Sequence, residues 1–138
     1  MFKNLKPVQL LSLSLGIVYL WFGTLKFFPE LSPAEGLAID TIHELTFGVV
    51  PQGLSIILLA LVEVLIGISF LFNIYRKQMI LVALAHLVCT FTPLFFFSEI
   101  SFNGSPIALT LVGQYIIKNL VLVAVLLSIF KFEKRSFS

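Results

Sequence analysis

Residues 52–97 read QGLSIILLALVEVLIGISFLF, then NIYRK, then QMILVALAHLVCTFTPLFFF. Gln52–Phe72 and Gln78–Phe97 are each close to the roughly 20 apolar residues a helix needs to cross a hydrocarbon core. Asn73–Lys77 is a link too short for anything but an antiparallel pair of neighbours. Each run carries a single ionisable side chain, Glu63 in the first and His86 in the second. The fold is therefore read as that of a membrane protein, with two polar side chains whose placement in an apolar setting needs a reason.

The same pattern continues in both directions. Val8–Phe28 is uncharged until Lys26, and Ile107–Phe130 carries only Lys118. Val8–Phe28 follows Lys3 and Lys6 as a signal peptide would, but it exceeds the usual apolar length of one and no A-x-A cleavage site follows, so it is read as a retained span. Ser98–Pro106, with Asn103-Gly104 and Pro106, joins the last two spans by a turn. The expected architecture is all-α: one integral membrane domain over residues 1–138, an up-down bundle with spans at 8–28, 52–72, 78–97 and 107–130.

Composition agrees. The chain is 59% hydrophobic and 12% charged, where a soluble domain carries about 25% charge, and its mean hydropathy is +1.07. Four spans consume most of 138 residues, which excludes a separate catalytic domain outside the membrane. The net charge of +2 comes from basic residues beside apolar runs, a pattern that suits membrane orientation and gives no ground for nucleic-acid binding. A single cysteine, Cys89, excludes an intrachain disulfide and a self-contained dithiol relay. The 15 phenylalanines read mostly as lipid-facing filling, with Trp21 and the three tyrosines left for interfaces or core.

The longest link, Pro29–Pro51, has helical punctuation of its own: Ser32 as N-cap, Pro33 at the first helical position and Glu35 completing a capping box. Ala34, Leu37, Ala38, Thr41 and Leu45 then share one face, predicting a short helix on the membrane surface. An ordinary packed connecting helix explains the pattern equally well. Charge fixes the expected orientation. Seven of the nine basic residues (Lys3, Lys6, Arg76, Lys77, Lys131, Lys134, Arg135) fall at one end, and Glu30, Glu35, Asp40, Glu44 and Glu99 at the other. The positive-inside rule then makes both termini cytoplasmic, in the plasma (inner) membrane.

Glu63, His86 and Lys118 each lie 11 residues from the outward end of their predicted spans, which places all three in one layer near mid-depth. A lipid-facing charge there costs about 2.5–3.5 kcal/mol on insertion scales, so the side chains are expected to turn inward, with Glu63 and Lys118 as an ion pair and His86 beside them. Gly53, Ala60 and Gly67 make a small-residue seam on span two, and Gly16 and Gly23 make another on span one with Tyr19 and Lys26 alongside. Gln114 and Tyr115 share the face of Lys118, Thr90 is expected to bond its own helix backbone near Pro93, and Lys26 is free to snorkel outward. The functional reading is a pocket for a polar head group, a quinone being the natural candidate, lined by Glu63, His86, Gln114, Lys118, Lys26 and Tyr19. The bland reading is a satisfied polar network that fixes helix packing. Metal and haem are not expected, since His43 falls in the outer loop and His86 near mid-depth.

The stretch Gly16–Pro29 (GIVYLWFGTLKFFP), Ser32-Pro33-Ala34-Glu35, Glu63 with Gly67, His86 before Thr90–Leu94, and Gly113–Asn119 (GQYIIKN) resemble the DoxX-like family of small four-span membrane proteins over nearly the whole chain. Val112 stands where similar members often carry an acidic residue. The resemblance implies the same four-span bundle. It also links the chain loosely to quinone-dependent thiosulfate oxidation and redox stress, and through distant animal relatives to receptor assembly. The leading expectation is an accessory, quinone-interacting membrane subunit that works with a redox protein partner or as a homo-oligomer. The alternatives are a structural or assembly protein and a small-solute or proton transporter; the chain is short for the inverted repeats with broken helices of many transporters.

Overall fold

A computed structural model describes residues 6–32, 35–105 and 107–135. It is mostly helical, and four helical segments are long and apolar enough to cross a membrane: Pro7–Leu25, Gln52–Phe72, Arg76–Phe96 and Leu111–Arg135.

Helix α1 (Pro7–Leu25) opens on Pro7, whose missing N–H costs nothing at a helix start, and the Gln9 side chain accepts the Lys6 backbone N–H at 3.0 Å. It ends three residues before the expected Phe28, consistent with Pro29 disfavouring helical backbone at the preceding residue. Helix α2 (Glu35–Leu45) fills the link to the second span. The Glu35 carboxylate accepts the backbone N–H of Glu30 at 3.0 Å, while the expected Pro33 start lies outside the described residues. Helix α2 packs on α3 and touches the end of the third span, so it is a packed connecting element.

Helix α3 (Gln52–Phe72) has the expected bounds and stops at Asn73, which takes the left-handed conformation (φ 57°) that asparagine tolerates at a helix end. Helix α4 (Arg76–Phe91) follows at once and yields at Thr92 to α5 (Pro93–Phe96). Pro93 has no N–H for the helical ladder and its ring crowds the preceding turn, so the ladder loosens there, but Thr92 keeps helical backbone (φ −60°, ψ −31°) and the segment runs on to Phe96, close to the expected 78–97.

The connection to the last span departs most from expectation. A short helix α6 (Ser98–Ser101) leads into an antiparallel hairpin of β1 (Phe102–Ser105) and β2 (Ala108–Leu109), with Phe102 opposite Leu109 and Ser105 opposite Ala108. Residues 107–110 therefore lie outside the final helix, α7 (Leu111–Arg135). Thr110 starts it: its hydroxyl oxygen accepts the Gly113 N–H at 3.1 Å and its O–H donates to the Ile100 carbonyl at 2.5 Å.

Helix α1 lies antiparallel on α3 through glycines. A methyl at Gly67 would sit 2.6 Å from the Leu20 nitrogen, and one at Gly23 would sit 2.8 Å from the Glu63 Cβ. Gly53, expected to extend this seam, has nothing within 4 Å of where its Cβ would stand, because the α1–α3 contact ends before reaching it. Arg76 pairs with Glu133 at 3.3 Å, tying the start of α4 to the end of α7. Leu15, Ile66, Phe70, Ile80, Leu126 and Ile129 fill the half of the molecule nearest the basic end. The other half is left incompletely filled.

Candidate functional site

In that half the helices enclose a cavity of about 560 Å³. Its wall is largely apolar, with contributions from α1, α3, α4 and α7 and, across the acidic end, from Ala38, Thr41, Ile42 and Leu45 of α2. The predicted apolar face of α2 thus becomes a wall of the cavity, with Ile42 joining Ala38, Thr41 and Leu45. Exposed residues of the wall are Phe22 on α1, Leu45 on α2, Cys89 on α4 and Tyr115, Lys118 and Val121 on α7. Most of them belong to the long apolar helices, so the rim lies on the flank of the molecule.

Four polar side chains form a continuous chain along the wall. Tyr19 Oη stands 3.1 Å from His86 Nδ1, His86 Nε2 is 3.0 Å from Glu63 Oε1, and Glu63 Oε2 accepts from Lys26 Nζ at 2.7 Å. Lys26 also donates to the Phe22 carbonyl at 3.4 Å. The Lys26, Glu63 and His86 side chains are 11%, 8% and 12% exposed. With Glu63 ionised, Nε2 carries the imidazole proton toward it, and in a neutral ring Nδ1 accepts from the tyrosine hydroxyl. The carboxylate is thereby held between an ammonium and an imidazole N–H, the pairing a buried charge requires.

Glu63 and His86 are in contact, but the lysine that pairs with Glu63 is Lys26 and not the expected Lys118. Two physical reasons account for this. Side chains on a helix lean toward its N-terminus. On antiparallel α1 and α3, Lys26 and Glu63 lean toward each other, whereas α7 aims Lys118 back toward the acidic end. The hairpin also delays the start of α7 from Ile107 to Leu111, which lifts Lys118 about 6 Å from its expected depth at 1.5 Å per residue. Lys118 is exposed at the cavity rim with its ammonium 5.8 Å from the centre of the Tyr115 ring. Lys26, free to snorkel outward on sequence grounds, instead turns inward to the carboxylate.

Tyr19, Lys26, Glu63, His86 and Lys118 all reach the cavity, while Gln114 is exposed and outside its wall. Thr90 does bond its own backbone, to the Leu87 carbonyl at 2.7 Å, and it also accepts from Asn119 Nδ2 at 3.1 Å. That bridge between α4 and α7, on the cavity wall, makes Asn119 a site residue that sequence reasoning left unassigned; its four-residue offset from Tyr115 was the available signal. Among the described residues no three His, Cys, Asp or Glu side chains gather as a metal site. Compared with known proteins, the chain matches no family model, no curated protein and no solved structure.

Proposed function

We propose that the protein is an integral membrane protein whose four spans form an up-down bundle around a binding site for a small amphiphile, with both termini cytoplasmic in an inner membrane. The observation that carries this reading is the coincidence of the 560 Å³ cavity with the Tyr19–His86–Glu63–Lys26 chain. Ligand sites are typically apolar concavities of about 300–1,000 Å³ with a few converging polar groups, and ionisable side chains inside a membrane usually mark a site. A quinone fits this chemistry, its ring against apolar walls and its carbonyls accepting from Lys26 or Lys118. The resemblance to DoxX-like proteins points the same way, toward an accessory subunit serving a redox partner.

The test is extraction of gently purified protein followed by mass spectrometry. A quinone should co-purify in near-stoichiometric amount, and His86→Gln together with Tyr19→Phe should remove it from a still-folded protein. Retention of no amphiphile by the parent, with no binding of added quinone, would sink the proposal. One observation favours a second reading, that of a structural or assembly protein. Among the described residues every buried polar side-chain atom already has a hydrogen-bond partner, so the network is complete as a packing device without any ligand.

A further inference from the structure

Among the described residues of the cavity wall, Glu63 is the one carboxylate, set against two ammoniums, Lys26 and Lys118. Glu63 is committed: one oxygen accepts from Lys26 and the other from His86. Lys118 has no carboxylate partner among the described residues, and its contact with the face of Tyr115 leaves its N–H groups unspent. Lys26 has three donors, of which Glu63 and the Phe22 carbonyl take two. Two ammoniums set against one carboxylate leave the wall with at least one uncompensated positive charge and an excess of hydrogen-bond donors. Apolar surroundings magnify both, because low dielectric strengthens charge interactions and leaves an unmatched ion costly.

We propose that the cavity selects amphiphiles whose polar head is anionic, with Lys118 at the rim as the selectivity residue. This rests on the reading of the cavity as a ligand site. Within the quinone class it singles out heads that ionise, such as hydroxyquinones, over neutral ones of the same shape.

The probes are an alkyl-substituted hydroxynaphthoquinone, whose enolic hydroxyl is ionised at neutral pH, and its neutral methyl ether. Both are titrated calorimetrically into the full chain in phosphatidylcholine nanodiscs. The anion should bind roughly tenfold or more tightly than the ether, the scale of one charge-assisted contact in a desolvated site. Lys118→Gln should abolish that preference by weakening the anion at least tenfold more than the ether, and Lys118→Arg should keep it. Equal affinities in the parent, or a preference that survives Lys118→Gln, overturn the inference and leave the ligand site standing. Failure of both compounds to bind overturns the ligand site and the inference together. Repeating the titration in phosphatidylglycerol discs separates two sources of the anion. Weaker binding there supports a rim also open to lipid head groups, and unchanged binding supports one reserved for the free amphiphile.

Discussion

The ion pair at the centre of the molecule turns on a detail of side-chain direction. Lys26 is the C-cap residue of α1, where a lysine is expected to reach outward, yet its ammonium lies 2.7 Å from Glu63. That pair is buried, so breaking it leaves a stranded charge. Glu63→Gln and Lys26→Met should each destabilise the detergent-solubilised protein by about 3–5 kcal/mol, and the double variant should recover much of the loss. Lys118→Met, by contrast, strands no partner charge and should leave the protein no less stable. Reversible unfolding in mixed micelles measures all four; simple additivity of the Glu63 and Lys26 losses would show that the two are uncoupled. Tyr19→Phe removes one hydrogen bond to His86 and should cost about 0.5–1.5 kcal/mol by the same measurement. The inward facing of Glu63 was legible from burial cost, and the nearness of His86 from the equal 11-residue offsets of the two along their spans. The identity of the cation was not, because it depends on where each helix starts and on which way its side chains lean.

Helix boundaries were read well where apolar runs end at strong punctuation, as at Pro51 and Asn73, and poorly where short structures intervene. The hairpin of Phe102–Leu109 has strands of four and two residues, too short to impose an alternating pattern on the sequence, so Asn103-Gly104 and Pro106 announced a turn without announcing strands. Thr110 gave a usable signal, a hydroxyl residue three before Gly113. Thr110→Ala should cost about 1 kcal/mol through loss of the cap, seen as a lowered unfolding midpoint; an unchanged midpoint would mean that the cap does not support α7. The glycines make a sharper contrast. Gly67→Ala forces a methyl against the backbone of Leu20 and should destabilise by about 1–3 kcal/mol. Gly53→Ala meets open space within a helix and should be neutral or stabilising by up to about 1 kcal/mol. Equal effects at the two positions would mean that close α1–α3 approach is not what Gly67 provides.

At the scale of the whole molecule, the distribution of charge between the two ends was plain in the sequence, whereas the cavity was not. A concavity arises from how several helices stand relative to one another, and α2 contributes a wall that its own periodicity marked only as an apolar face. The proposed orientation is open to direct test in a Cys89→Ser background. A cysteine at Asn103 should react with an impermeant maleimide added to intact cells and one at Lys134 should not; the reverse pattern would invert the topology. The position of the rim bears on how a ligand would arrive. Since the exposed wall residues sit on the flanks of apolar helices, the proposed membrane setting would have a ligand enter from the surrounding leaflet, by diffusion in two dimensions. Occupancy would then follow the mole fraction of ligand among the lipids and not its molarity in water. Adding empty bilayer at fixed total ligand would strip the site, and an affinity quoted without the lipid-to-protein ratio would describe the partitioning as much as the protein.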